Sequence, residues 1–186
     1  SEAEKIEEEL RRAAETAKKR HEDSERELEE AAKTAEERAK RIHDRNERAA
    51  EEAKKRAEDD KDADELAKRI LEELERIARK SEEDLKRILE ELRKIAEDAE
   101  KRNREINEEL KEIAKRAEDR LRKRGAEEEK ATRIKREADE ARKESKKLAE
   151  KLKKRADEAR RKLEEEAKRD KERADRAAKE IEDRAR

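Results

Sequence analysis

The sequence predicts an all-α fold: an antiparallel, up-down-up bundle of three long helices that is nearly untwisted, with little or no supercoil. The first observation is composition, because 59 basic and 60 acidic residues, no Pro and a single Gly leave a chain of strong helix formers. The second is an apolar pattern that recurs every eighteen residues. The third is a shift in the phase of that pattern at two places, which marks two connections.

The eighteen-residue repeat is clearest in the middle of the chain. From Ile70 the sequence reads ILEELERIARKSEEDLKR, then ILEELRKIAEDAEKRNRE, then INEELKEIAKRAEDRLRK. Eighteen residues complete five turns at about 3.6 residues per turn, so an apolar stripe with this period stays on one side of a straight helix. A seven-residue repeat would instead require left-handed supercoiling. Repeats of the same length precede and follow this segment, which indicates three helices in one bundle.

The two connections are predicted near Asp60 and at Gly125. Asp62 and Glu65 have the spacing of a capping box, which favours a helix start. Gly125 suits the left-handed position that follows a helix C-terminus. The chain 1–186 is thus interpreted as a single three-helix bundle with helices at about 1–59, 62–124 and 126–186.

The bulky apolar residues are concentrated on the middle helix, whereas Ala dominates the stripes of the outer two. We therefore expect Leu and Ile of the middle helix to fill grooves left by Ala on its neighbours. Residues 1–60 carry 16 basic and 21 acidic groups and residues 126–186 carry 23 and 19, which favours a parallel contact between the outer helices. The expected middle stripe comprises Leu66, Ile70, Leu74, Ile77, Leu85, Ile88, Leu92, Ile95, Ile106, Leu110, Ile113 and Leu121.

Seven polar residues interrupt the apolar stripes. Antiparallel partners have residue numbers that add up to about 122 across the first connection and about 250 across the second. Folded in this way, the exceptions collect in two layers, which we interpret as hydrogen-bonded layers that fix helix register. Hydrated gaps or solvated edges are the alternative. The layers are His21, Ser24, Asn103 and Ser145, and Asn46, Ser81 and Asp170 with His43 at the edge.

Two sharper interpretations of the second layer are not favoured. Ser81, His43 and Asp170 contain the residue types of a catalytic triad, but a triad also needs an oxyanion hole and a substrate cleft. The middle of a helix has no free backbone N–H groups for that purpose. His43 with Asp170 provides two ligands, too few for a zinc site. We therefore expect no catalytic, cofactor-binding or metal site.

Composition also argues against several partners. A net charge of −1 and the lack of aromatic residues disfavour binding to nucleic acid. The apolar runs are too short for a membrane span or a targeting signal, so we expect a soluble protein. No partner is required and a monomer is expected, although Leu71 and Leu89 at the stripe margin could admit a second copy.

The chain resembles computationally designed, straight three-helix bundles with eighteen-residue layers. The residues that carry this resemblance are Leu10/Leu28/Asn46, Ile70/Ile88/Ile106 and Ala138/Ala156/Ala174. The resemblance implies a monomeric, stable structural scaffold without natural biochemical activity. Two natural alternatives are a stress-protective, conditionally folded protein similar to the late embryogenesis abundant group, and a single charged helix that acts as a spacer. The first would be a coil in dilute solution, and the second needs no apolar stripe.

Overall fold

Three long helices account for almost the whole of the described chain. The computed structural model describes residues 2–59, 64–124 and 128–184. The helices are α1 (Glu2–Asp59), α2 (Asp64–Lys123) and α3 (Glu128–Arg184), and the described ranges contain no strand. The predicted all-α, three-helix fold class is confirmed. The predicted boundary residues Asp60, Asp62 and Gly125 lie outside the described residues.

Charges at the helix ends agree with the helix dipole. Glu2 and Glu4 lie in the first turn of α1, where carboxylates interact favourably with the exposed N–H groups. Basic residues, Arg120 and Lys123 among them, occupy the last turn of α2. The N–H of Arg124 donates to the carbonyl of Arg120 at 3.3 Å, which continues the helical hydrogen bonding for one more residue.

Ion pairs between helices establish the direction in which each pair of helices runs. Between α1 and α2 the paired residue numbers add up to 129, so these helices are antiparallel; the pairs include Glu9–Arg120, Arg20–Glu109, Glu27–Arg102, Arg38–Glu91 and Arg56–Glu73. Between α1 and α3 they differ by 126, so these helices are parallel; the pairs include Glu7–Arg133, Lys18–Glu144, Glu36–Lys162 and Lys54–Glu180. The up-down-up topology predicted from the sequence follows from these offsets.

The contacts within the chain divide it into two compact units, each with a segment of all three helices. The first unit consists of Ser1–Glu30 and Ile95–Asp157. The second unit consists of Ala31–Lys94 and Glu158–Arg186. In both units α1 pairs with α2 and with α3 at the offsets given above.

The core of each unit mixes large and small apolar side chains from all three helices. In the first unit one cluster comprises Ile6, Leu10, Ala114, Ala117, Leu121, Ile134 and Ala138, and another comprises Ala17, Ile106 and Leu110. In the second unit Ala53, Ile70 and Ile181 pack together with Leu66 and Leu74. Pairing of a large residue with Ala allows neighbouring helices to approach closely.

As the sequence predicts, α2 supplies more buried Leu and Ile side chains than either outer helix, but two residues of its expected stripe are exposed. Within the described residues, seven buried Leu and Ile side chains lie on α2, four on α1 and four on α3. Ile95 and Ile113, expected in the stripe of α2, are each 37% exposed. Each follows a buried Ile by seven residues, which rotates it about 20° toward the stripe edge. Neighbours rich in Ala are too short to cover that edge.

Candidate functional site

The first unit contains a buried polar layer that joins all three helices. Nδ1 of His21 on α1 lies 2.9 Å from Oδ1 of Asn103 on α2. Nε2 of the same ring lies 2.6 Å from Oγ of Ser145 on α3. These residues are 2%, 1% and 4% exposed, respectively, and Ser24, one turn from His21, is 4% exposed. The structure thus brings the residues of the predicted first layer into one buried region, which we name the first polar layer.

Asn107 extends the first polar layer and was missed by sequence reasoning. The hydroxyl of Ser145 donates to Oδ1 of Asn107, which lies one turn after Asn103 on α2. A signal was present in the repeat, because Asn107 occupies the position that Leu71 and Leu89 occupy in the two preceding repeats. A polar residue at a repeated apolar position indicates a polar partner on the neighbouring helix.

The hydrogen count of the first polar layer defines how its members donate and accept. A hydroxyl has one proton, so when Ser145 donates to Asn107 it must accept from Nε2–H of His21. Nδ1 of a neutral ring is then an acceptor. Within the described residues Nδ2 of Asn103 has no hydrogen-bond partner, and rotation of the amide by half a turn would direct Nδ2 at Nδ1. The oxygen and nitrogen of an amide are nearly indistinguishable in shape. We therefore assign a chain in which Asn103 donates to His21, His21 donates to Ser145, and Ser145 donates to Asn107.

The second unit contains two separate polar pairs. The hydroxyl of Ser81, 2% exposed, donates to Oδ1 of Asn46 at 2.8 Å. Nδ1 of His43 bonds Oδ1 of Asp170, whose side chain is 10% exposed. His43 therefore has a direct partner on α3, whereas the sequence placed it only at the edge of the layer.

Cavities adjoin these pairs in the second unit. One of about 280 Å³ is bordered by Asn46 and Asp170 on its polar side and by Leu74, Ile77 and Ala177 on its apolar side. Another, of about 470 Å³, is bordered by Ser81, Asn46 and Asp170. Asn46 and Asp170 stand where other repeats have Leu or Ile, and Ala at the flanking positions does not fill the remaining space. Polar cavities of this size have room for water molecules.

The three residues that could form a catalytic triad are not arranged as one. His43 and Asp170 bond each other, as the histidine and the acid of a triad do. The single proton of the Ser81 hydroxyl, however, is directed at Asn46. A triad requires that this proton be given to the histidine, so the geometry supports a polar core contact at Ser81.

Charged groups surround His43 on its exposed side. Nη1 of Arg173 contacts Nε2 and lies 3.1 Å from Nδ1, and Oε2 of Glu47 lies 4.0 Å from Nε2. Ligand atoms of His43, Asp44 and Glu47 all lie within 4.8 Å of one another. Sequence reasoning considered Asp170 as the sole partner and overlooked the spacing of four residues between His43 and Glu47, which places two side chains on the same helix face.

A buried acid in the first unit was also missed. Glu7 is 8% exposed, an unusual value for a carboxylate. It accepts hydrogen bonds from Arg11 at 3.0 Å and from Arg133 on α3 at 2.8 Å. Its position directly after the buried Ile6 is a weak signal, since many exposed acids in this chain also follow apolar residues.

No family model and no curated protein matches the chain. Among solved structures the chain is similar to a computationally designed three-helix bundle, at 19% sequence identity and a TM-score of 0.42, over 97% of this chain and 87% of that chain. In the described ranges, moreover, no helix combines the length and the apolar character that crossing a membrane requires.

Proposed function

We propose that the protein is a designed structural scaffold, a monomeric three-helix bundle whose polar chemistry maintains its own fold. It requires no cofactor, nucleic acid, membrane or protein partner and has no catalytic role. Support comes from the residues, because all three helices share an eighteen-residue apolar period and the polar residues that interrupt it bond mainly with one another.

The observation that carries this proposal is the position of His21 in the first polar layer. One imidazole ring of α1 bonds Asn103 of α2 and Ser145 of α3 at once. A buried polar atom without a partner costs about 1–3 kcal/mol, so a helix that slips along its neighbours loses these bonds and leaves several such atoms. The layer therefore defines one register, which is the property that a rigid scaffold needs.

The ion pairs at constant offsets support the same proposal. Each exposed pair contributes only about 0.2–1 kcal/mol. Together they favour the register that the first polar layer defines, since their offsets are the same in both units. Both the buried and the exposed polar groups therefore act within the chain.

A matched pair of substitutions on α2 tests the proposal. Ile88 is 2% exposed and Ile95 is 37% exposed, and both are the same residue type on the same helix. In a bundle, Ile88→Asp places a carboxylate in the core and should unfold the protein or reduce its stability by several kcal/mol, about the cost of an unpaired buried charge. Ile95→Asp should change stability little. Far-UV circular dichroism during urea titration at low micromolar concentration measures both, with light scattering to report the mass.

The alternatives predict different outcomes. A protein similar to the late embryogenesis abundant group would be a coil at this concentration before any substitution. A single charged helix that acts as a spacer would be helical, but both substitutions would have equal, small effects because neither side chain would be buried. A cooperative helical monomer of 22.1 kDa that loses its structure only with Ile88→Asp is the result expected for the scaffold.

A further inference from the structure

His43 is held in the protonation pattern of a metal-ligating imidazole. A carboxylate can only accept hydrogen bonds and a guanidinium can only donate them. Nη1 of Arg173 lies near both ring nitrogens, but the carboxylate of Asp170 bonds Nδ1 alone. In the neutral ring the proton is therefore on Nδ1 and the lone pair is on Nε2. An imidazole that donates one N–H to a carboxylate and directs its other nitrogen outward is the usual arrangement of a histidine ligand, because the carboxylate fixes the tautomer and increases the basicity of the ring.

One carboxylate lies near that lone pair, and a second belongs to the same group of possible ligand atoms. Oε2 of Glu47 is 4.0 Å from Nε2 of His43, and Asp44 contributes an oxygen to the same group within 4.8 Å. Zinc bonds to nitrogen and oxygen of about 2.0–2.2 Å place two tetrahedral ligand atoms about 3.3–3.5 Å apart. The present spacings would therefore contract by about 0.5–1.5 Å, a change that side-chain torsions of half-buried or exposed residues can supply.

We propose that His43, Glu47 and Asp44 form a binding site for a divalent first-row transition metal ion such as Cu²⁺ or Zn²⁺. Nε2 of His43 is the nitrogen ligand, the carboxylates of Glu47 and Asp44 are oxygen ligands, and water completes the coordination. Imidazole selects Cu²⁺, Ni²⁺ or Zn²⁺ over Mg²⁺ and Ca²⁺, and Cu²⁺ binds most tightly in this series. Asp170 orients the ring from the opposite side.

Arg173 competes with the metal ion for the same lone pair. Its guanidinium donates to Nε2 of His43 and its positive charge repels a cation. The side chain of Arg173 is exposed, so it can swing into solvent when a metal ion binds. Removal of this guanidinium should therefore tighten metal binding, whereas removal of a nearby guanidinium that does not bond the ring should not.

The composition of the chain makes the test specific. The sequence has two His and no Cys, and both ring nitrogens of the buried His21 are bonded within the first polar layer. Coupling of Cu²⁺ to imidazole nitrogen, measured by electron spin-echo spectroscopy, therefore reports His43. Calorimetric titration with Cu²⁺ and Zn²⁺ measures affinity.

The variants are His43→Asn, Glu47→Gln, Arg173→Gln and, as the matched control, Arg176→Gln, which removes the same charge from a residue lining the same cavity. We expect imidazole coupling in the parent protein, its loss in His43→Asn, weaker binding in Glu47→Gln, and binding about tenfold tighter in Arg173→Gln, a typical size for an effect on a ligand's immediate partner. Cu²⁺ bound without imidazole coupling, or unchanged affinity in His43→Asn, would overturn the site. Equal tightening by both Arg substitutions would overturn the competition assigned to Arg173.

Discussion

Removal of the Ser145 hydroxyl is the most direct test of the first polar layer. Ser145→Ala takes away the acceptor of His21 Nε2–H, which is 2.6 Å away in a side chain that is 2% exposed. An unsatisfied buried donor reduces the free energy of unfolding by about 1–3 kcal/mol. Replacement of Ser by Ala in a helix increases it by about 0.5 kcal/mol, because Ala has the higher helix propensity. We therefore expect a net loss of about 0.5–2.5 kcal/mol in the free energy of unfolding.

A double-mutant cycle separates the hydrogen bond from other effects. In a His21→Leu background the donor no longer exists, so Ser145→Ala should cost less than in the parent. The remaining cost is that of the bond which Ser145 donates to Asn107. The coupling energy between the two positions should be about 1–3 kcal/mol. Urea unfolding followed by far-UV circular dichroism at constant pH gives all four stabilities.

Ser24→Ala is the control for this cycle, because Ser24 and Ser145 are both 4% exposed and both changes raise helix propensity equally. The ring nitrogens of His21 bond Asn103 and Ser145, so Ser24→Ala should show no coupling with His21→Leu. If Ser145→Ala were as costly in the His21→Leu background as in the parent, the layer would not be held by the assigned bond.

Three further predictions concern single charged groups. Asp170→Leu should be neutral or stabilising if its surroundings repack, whereas Asp170→Lys should destabilise by about 3–5 kcal/mol, because it leaves an unpaired charge at a side chain that is 10% exposed. Thermal and urea unfolding measure the stability of both variants. Equal, negligible effects would show that the side chain is solvated. Glu7→Gln should reduce stability by about 1–2 kcal/mol, because the side chain of Glu7 is 10% exposed and accepts two charged hydrogen bonds. As the control, Glu8→Gln at an exposed position should change stability by less than about 0.5 kcal/mol. Similar losses from both substitutions would contradict the burial of Glu7. The hydrogen bond from Arg93 lowers the pKa of Glu90 below its ordinary value of 4.5, so this pair favours the folded state above pH 4.5 and loses its effect as pH falls through the folded pKa; Arg93→Ala should raise the pKa of Glu90 toward 4.5 in carboxyl NMR titrations, and an unmoved pKa would exclude Arg93 as the cause.

The fold could be predicted from the sequence because few physical requirements decide it. Strong helix formers and an eighteen-residue stripe predict three helices, and the phase shifts predict where they end. Which of the large apolar side chains are buried could not be predicted in the same way. Ile95 and Ile113 belong to the stripe by residue type, but their exposure depends on how far the short side chains of neighbouring helices reach, which only three-dimensional packing defines.

The polar groups show a similar division. Sequence spacing placed His21, Asn103 and Ser145 at one level because helices of known direction make partner numbers predictable. Spacing could not show that Ser81 donates a hydrogen bond to Asn46, or that His43 bonds Asp170, since hydrogen-bond partners depend on side-chain rotamers. The burial of Glu7 could not be predicted either, because it depends on the rotamers of two arginines that cover the carboxylate.

The constant offsets of the ion pairs make the protein divisible into interchangeable segments. Because ion pairs between helices recur after five helical turns, removal of eighteen residues from each helix at matching levels would rejoin charged surfaces that already fit. Insertion of the same number would lengthen each helix by about 27 Å. A family of shorter and longer proteins could be made from this chain in steps of one repeat, with the two connections unchanged.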